Sequence, residues 1–138
     1  MTSPDLVLVY RASWRVRYVE TTDDPAAIRA CWDQLEGLLP SFRGRKFAGF
    51  FDAEAGWYRA SVRTIDDPSE AESSLPVAVL PGGSYLRYRM RGEPRALYDR
   101  LPGAFDALLA TGRHDPSRPS IELYRSHGLL DALLPVQW

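Results

Sequence analysis

The sequence predicts an α+β fold made of two tandem strand–helix–strand–strand modules with a mostly antiparallel sheet. "ACWDQL" at 30–35 and "GAFDAL" at 103–108 share one pattern, small–small–aromatic–Asp–x–Leu, at an offset of 73. The same offset aligns "GFF" at 49–51 with "ELY" at 122–124. An offset that holds through two consecutive elements indicates an internal duplication. Two helices related by a pseudo-twofold axis would then flank a ligand cleft.

The first repeat covers about residues 6–65. Asp24 and Pro25 supply an N-cap and a first-turn proline. Apolar residues at helical spacing follow over 28–39, and Pro40 ends the helix. Alternation of apolar and polar residues predicts three strands around this helix. These strands are expected at 14–22, 46–53 and 56–64.

The second repeat covers about residues 83–138, after a linker at about 66–82. Its helix carries apolar residues from Leu97 to Leu109, and Pro102 inside that pattern is expected to kink or divide it. The linker is acidic and rich in proline, with a short strand expected at "VAVL". The strands of the second repeat are expected at 84–91 ("SYLRYRMR"), 120–126 ("SIELYRS") and 132–138 ("ALLPVQW").

Composition indicates a single domain spanning 1–138. A net charge of −1 favours neither nucleic acid nor an anionic membrane as a partner. The lone cysteine and the N-terminus without signal-peptide features predict a cytoplasmic protein. One cysteine and two histidines match no familiar zinc spacing, so no metal or cofactor is expected. All but Lys46 of the 17 basic residues are arginine, which indicates a GC-rich bacterial genome.

Glu122 is the main candidate site residue, because it lies in the middle of a predicted strand. One interpretation is a solvated charge on the wet face of that strand. A second is a cross-strand ion pair with an arginine, the candidates being Arg59, Arg87 and Arg89. The repeat favours a third, because Gly49 stands at the equivalent position. Gly49 would leave room in a cleft into which Glu122 brings a charge.

Aromatic residues recur at equivalent positions of the two repeats. Trp32 corresponds to Phe105, and Phe51 corresponds to Tyr124. These pairs are either duplicated core or the wall of a ligand site. Two further tyrosines, Tyr58 and Tyr98, suit the rim of such a site because they combine an apolar ring with a polar hydroxyl.

Several segments together resemble the GyrI-like small-molecule-binding domain, here as a stand-alone domain. They include "RVRYVETTDDPAAIRACWDQL", "PGGSYLRYRMRGEP" and "RPSIELYRSH", and the resemblance runs from about Leu6 to Trp138. That domain also serves as the effector-binding domain of AraC- and MerR-type multidrug regulators. The resemblance implies a tandem pair of modules with a ligand cleft between their helices.

The resemblance also implies a set of ligand-binding residues. Family members bind bulky, often cationic, aromatic compounds through aromatic side chains and one acidic residue. The acidic position matches Glu122, and the aromatic residue of the first helix matches Trp32. Tyr124, Phe105 and Tyr58 are similar to cleft-lining positions, and Phe105 replaces a tryptophan found in many relatives.

Three functions follow as alternatives. The first is a protein that sequesters or senses a xenobiotic ligand, a function that the sequence does not tie to any particular oligomeric state. The second is a hydrolase of reactive xenobiotics, in which Glu122 acts as general base and a tyrosine (Tyr58, Tyr98 or Tyr124) stabilises a developing negative oxygen. The third is an inhibitor of DNA gyrase, in which the acidic stretch 66–72 imitates nucleic-acid charge.

Overall fold

The structure is a computed structural model that describes residues 5–137, and it confirms the α+β fold. Positions 1–4 and 138, which the expected domain includes, lie outside the described residues. All strand pairings described are antiparallel. In chain order the elements are β1 (Leu6–Arg11), β2 (Trp14–Thr22), α1 (Pro25–Gly37), β3 (Phe47–Asp52), β4 (Trp57–Arg63), α2 (Glu70–Ser73), β5 (Val77–Leu80), β6 (Gly83–Arg91), α3 (Pro94–Leu109), β7 (Ser120–Ser126) and β8 (Leu129–Pro135).

The chain divides into two compact units. The first unit is Ser13–Leu80, and the second comprises the residues from Pro81 onward together with those up to Ala12. Each contains the predicted order of strand, helix, strand and strand: β2–α1–β3–β4 in the first unit and β6–α3–β7–β8 in the second. The duplicated module inferred from the 73-residue offset is therefore present in the structure.

In the first unit the strands lie in the order β3–β4–β2–β5. Helix α1 begins as predicted, because the Asp24 side chain accepts a hydrogen bond from the Ala27 amide at 3.0 Å and Pro25 follows it. Its buried face packs on the strands and forms a hydrophobic cluster. The buried members of this cluster are Cys31, Leu35, Leu39, Tyr58, Ala60 and Val62.

In the second unit the strands lie in the order β1–β6–β8–β7. Helix α3 continues through Pro102, so this proline does not divide the helix, which was one of its two expected effects. Proline lacks the N–H of one helical hydrogen bond. Pro102 itself is exposed, while Leu101 and Phe105 are buried on the face that packs. Burial of that apolar face offsets the missing hydrogen bond.

The structure adds two elements that the sequence did not predict. Strand β1 pairs with β6 along its full length, from Leu6 opposite Tyr88 to Arg11 opposite Gly83. The short helix α2 lies inside the expected linker, next to β5, which is the predicted "VAVL" strand. None of the helices within residues 5–137 has the length and apolar character needed to cross a bilayer.

Candidate functional site

Glu122, Tyr124 and Tyr98 come together in the second unit. Glu122 and Tyr124 lie on the same face of β7, because strand side chains alternate. The Tyr124 hydroxyl donates a hydrogen bond to Glu122 Oε1 at 2.8 Å. Tyr98, on α3, contacts Tyr124 with ring centroids 5.9 Å apart. This face of β7 is therefore the one that α3 approaches, and it carries a carboxylate bound to Tyr124, whose ring contacts Tyr98.

Glu122 is buried, with 9% of its surface exposed, so it is not a solvated charge on a wet face. The flanking residues Ile121 and Leu123 are also buried, at 0% and 3%. Both faces of this part of β7 are thus covered. Two of the arginines considered as partners bind other carboxylates: Arg59 pairs with Glu20, and Arg89 pairs with Asp131.

The buried carboxylate of Asp131 shows how this unit holds a charge that is paired with arginine. Asp131 is fully buried and receives hydrogen bonds from Arg89 at 2.8 and 2.9 Å and from Arg125 at 2.6 Å. Burial alone would raise the pKa of Asp131, but the two arginines outweigh it and lower the pKa below its usual value. Glu122 accepts a hydrogen bond from the Tyr124 hydroxyl.

Trp32, Tyr58 and Phe51 come together in the first unit. The indole Nε1 of Trp32, on α1, donates to the Tyr58 hydroxyl on β4 at 2.8 Å. Phe51, on β3, stacks on Tyr58 with centroids 6.1 Å apart and planes inclined by 14°. Trp32 also contacts Phe47 edge to face. Tyr58 is buried at 1% exposure, whereas Trp32 and Phe51 are half-buried.

Gly49 and Glu122 occupy equivalent registers in their own units. Gly49 lies opposite Ala60 of β4, and Glu122 lies opposite Ala132 of β8. Ala60 belongs to the cluster that α1 covers, so Gly49 is on the helix-facing side of β3. The residue without a side chain and the carboxylate therefore mark the same position of the duplicated module.

The predicted site residues differ in accessibility. Tyr98 is 51% exposed, and Trp32, Phe51 and Tyr124 are partly exposed. Glu122, Phe105, Tyr58 and Gly49 are buried. Phe105 lies on α3 two turns beyond Tyr98 and belongs to the buried face of that helix. It is thus a core residue of the second unit in this structure.

Arg118 has a role that the sequence did not reveal. Its guanidinium lies over the Tyr85 ring at 4.8 Å and within 3.7 Å of an Asp115 carboxylate oxygen. It also donates to backbone carbonyls at the ends of the strands, those of Gly82 (3.3 Å), Ser84 (3.0 Å) and Val136 (2.7 Å). The "RP" that precedes "SIELY" therefore supplies a clamp across β6 and β8. The backbone carbonyls that it binds lie 18 to 36 residues away in the sequence, too far for a local pattern to reveal them.

An open cavity of about 630 Å³ lies beside Arg118 in the second unit. Its lining includes Tyr10, Gly83 and Asp115. The residues that the sequence predicted for ligand binding are not among those that line it. This cavity is therefore distinct from the cluster around Glu122.

The acidic stretch 66–72 is less charged at its surface than its sequence indicates. Glu72 is buried and receives two hydrogen bonds from Arg45, at 2.8 and 2.7 Å. Ser69 caps α2 by accepting from the Glu72 amide at 3.2 Å. The carboxylate at the end of the stretch therefore stabilises the first unit and is not presented to a partner.

Comparisons with known proteins identify the fold but not the ligand. No protein-family model and no curated protein matches the sequence. Among solved structures, SAV2435 bound to tetraphenylphosphonium matches with a TM-score of 0.68 at 14% identity, over 96% of this chain and 94% of that chain. The EcmrR C-terminal domain matches with a TM-score of 0.71 at 11% identity, over 99% of each chain.

A hydrolase from Listeria innocua also matches, with a TM-score of 0.55 at 12% identity, over 99% of this chain and 94% of that chain. At sequence identities this low, the matches establish a common fold and nothing about function. SAV2435 and the EcmrR domain both have the architecture that the sequence segments resemble. This chain therefore has a GyrI-like fold.

Proposed function

We propose that this protein binds a lipophilic organic cation and thereby sequesters or senses it. The observation that carries the proposal is the buried Glu122 carboxylate, which is hydrogen-bonded to Tyr124, whose ring in turn contacts Tyr98. The interior of a protein screens charge less than water does, so a buried carboxylate exerts a stronger Coulombic attraction on a cation than one in water. This attraction would hold the charged group of the ligand. The tetraphenylphosphonium bound to SAV2435, a protein of the same fold, belongs to this class of compound.

Aromatic rings add to the attraction of such a cation. A cation over the face of a tyrosine or tryptophan ring gains about 0.5–2 kcal/mol, with the larger values in desolvated sites. Tyr98 is the more exposed of the two tyrosines and would be met first by an incoming ligand. Tyr124 links the rings to the charge, because its hydroxyl donates to Glu122.

The half-buried aromatic residues of the first unit present an apolar surface of their own. Trp32 and Phe51 each expose part of a ring, and both lie against Tyr58. Ring faces recognise shape and apolar area more than particular groups. We therefore expect the protein to accept several aromatic cations and not one compound alone, as weak discrimination by apolar pockets implies.

Two ions of the same shape and opposite charge test the proposal. Tetraphenylphosphonium and tetraphenylborate would be titrated separately into the wild-type protein and into Glu122→Gln, with calorimetry as the readout. We expect the wild type to prefer the phosphonium. We expect Glu122→Gln to lose about tenfold in phosphonium affinity, which is about 1.4 kcal/mol, and to gain affinity for the borate.

Glu54→Gln is the matched control, because Glu54 is an exposed carboxylate in the turn between β3 and β4. It changes the net charge equally and should leave both affinities unchanged. Equal binding of the two ions by the wild type, with no effect of Glu122→Gln, would show that Glu122 is not the counter-charge and would refute the proposal.

A second candidate function is hydrolysis of a reactive xenobiotic. The hydrogen bond between Tyr124 and Glu122 favours it, because it orients a buried carboxylate that could activate water as a general base. In this scheme a tyrosine of the same unit, Tyr98 or Tyr124, stabilises the developing negative oxygen of the substrate. The test is turnover of an electrophilic substrate. Glu122→Gln should abolish turnover while the substrate still binds, and a wild type that never consumes the compound excludes the reaction.

A further inference from the structure

Three arginine side chains of the second unit lie on the strand face that points away from Glu122. Glu122 is paired with the residue after Asp131 on β8, so Asp131 points to the other face, together with Arg89 directly opposite it on β6. Arg87 lies two residues before Arg89 and shares that face. Arg125, on β7, joins them because its Nε donates to Asp131 at 2.6 Å. Arg87, Arg89 and Arg125 are called the arginine cluster below.

The arginine cluster carries more positive charge than its carboxylate compensates. Asp131 accepts hydrogen bonds from Nε and Nη2 of Arg89 and from Nε of Arg125. Nη1 of Arg89 and both terminal nitrogens of Arg125 are left for another acceptor. The two side chains are 28% and 45% exposed, so a solute can reach them. Three guanidinium charges against one carboxylate leave a net charge of +2 on the cluster.

Arg87 is the member without a counter-charge. The side chain is partly buried, and its Nε is buried without a hydrogen-bond partner. Within residues 5–137 no carboxylate forms an ion pair with it. Its neighbours across the strands are apolar, Val7 on β1 and Leu133 on β8. A partly buried charge that nothing compensates destabilises the folded protein. A ligand that brings the missing negative charge would remove that cost.

We propose that the arginine cluster binds the phosphate group of a small compound. The planar guanidinium group offers parallel N–H donors that match the oxygens of a phosphate. A doubly negative phosphate group balances the net charge of the cluster and supplies Arg87 with acceptors. A small ligand is favoured over nucleic acid, because the chain has a net charge of −1 and no wide positive field. The site is separate from Glu122 and does not depend on the proposed cation binding.

Pyrophosphate is the probe that tests this site. It would be titrated by calorimetry, at constant ionic strength, into the wild type, Arg87→Met and Arg95→Met. We expect Arg87→Met to bind about tenfold more weakly, because it loses charge-assisted hydrogen bonds. Arg95→Met is the matched control, since Arg95 is an exposed arginine of α3, and it should bind like the wild type. A wild type that does not bind pyrophosphate, or an Arg87→Met variant that binds it equally well, would refute the proposal.

Stability without the anion separates a binding role of Arg87 from a structural one. Arg87→Met should unfold at the same temperature as the wild type or a higher one, because it removes an uncompensated charge. Pyrophosphate should raise the unfolding temperature of the wild type and not that of Arg87→Met. A variant that unfolds well below the wild type, or does not fold, would show that Arg87 stabilises the protein and would overturn the argument.

A short single-stranded oligonucleotide tests whether the phosphate belongs to a small compound. Its backbone phosphates carry one negative charge each, so we expect it to bind more weakly than pyrophosphate under the same conditions. Tighter binding of the oligonucleotide, lost in Arg87→Met, would assign the cluster to nucleic acid and contradict the proposed small ligand.

Discussion

Tyr124 donates a hydrogen bond of 2.8 Å to the carboxylate of Glu122, two residues earlier on the same face of β7. Because Glu122 is buried, this donor stabilises a charge that water reaches poorly. The Glu122 carboxylate therefore contributes both to the stability of the second unit and to the proposed binding of a cation.

Removal of this donor should lower the free energy of unfolding. For Tyr124→Phe we expect a loss of about 1.5–3 kcal/mol, the range for hydrogen bonds to charged groups. The measurement is chemical denaturation at neutral pH. Tyr10→Phe is the control, since Tyr10 is 80% exposed, and it should change stability little. In a Glu122→Gln background the loss should shrink, and an undiminished loss would show that the hydroxyl acts elsewhere.

The burial of Glu122 could not be predicted from alternation alone. Alternation correctly places Glu122 and Tyr124 on one face of β7 and Ile121 on the other, but it indicates a wet face only when one side is open. Here Ser120, Ile121, Glu122 and Leu123 are all buried. What covers a strand depends on long-range packing, which local periodicity does not contain. The repeat supplied the better signal, because it aligned Glu122 with Gly49.

Helix α1 and strands β2, β3 and β4 were predictable, because caps and periodicity are local signals. Helix α2 was missed because it is four residues long and lies in a segment that reads as a solvated acidic linker. Its stabilising contact joins Glu72 to Arg45, and such a pair leaves no periodic trace in the sequence. The same reason applies to β1, whose partner β6 is far along the chain.

Neutralising Glu72 should destabilise the first unit strongly. Glu72→Gln leaves the Arg45 guanidinium buried with its charge uncompensated, and the side-chain exposures of the pair are only 7% and 1%. We expect a loss of about 3–5 kcal/mol, the usual cost of breaking a buried ion pair from one side. Glu70→Gln in the same helix is the control, because Glu70 is exposed. Equal stability of the two variants in urea denaturation would contradict the role assigned to the pair.

Two glycines of the second unit should respond to alanine in opposite directions. Gly83 has φ +126°, and a Cβ there would lie 2.6 Å from Arg118 Nη1, so Gly83→Ala is strained and displaces the clamp. Gly103 lies inside α3 with nothing within 4 Å of its Cβ position, so Gly103→Ala should stabilise by about 0.5–1 kcal/mol. Thermal unfolding measures the stability of both variants. A Gly83→Ala variant as stable as wild type would show that the Arg118 side chain moves aside at little cost.

The stability of the second unit should fall in acid partly through Asp131. Arg89 and Arg125 lower the pKa of Asp131 in the folded state. The contribution of Asp131 to the free energy of unfolding is therefore fully present above its unfolded pKa of about 3.9, and it is lost as the pH falls through the folded pKa. Asp131→Asn should therefore be less stable than wild type at neutral pH. We expect a difference of about 1–3 kcal/mol, because Arg89 and Arg125 are partly exposed and can hydrate.

The pH dependence of this stability difference shows whether it comes from the charge of Asp131. The gap in unfolding free energy between wild type and Asp131→Asn should narrow as the pH falls, because protonated Asp131 no longer attracts the two arginines. Asp99→Asn, a change at an exposed position of α3, provides the control and should follow the wild-type curve. Urea denaturation over a series of pH values gives all three curves. A gap that stays constant from neutral to acidic pH would mean that the variant loses packing and not the charge of Asp131.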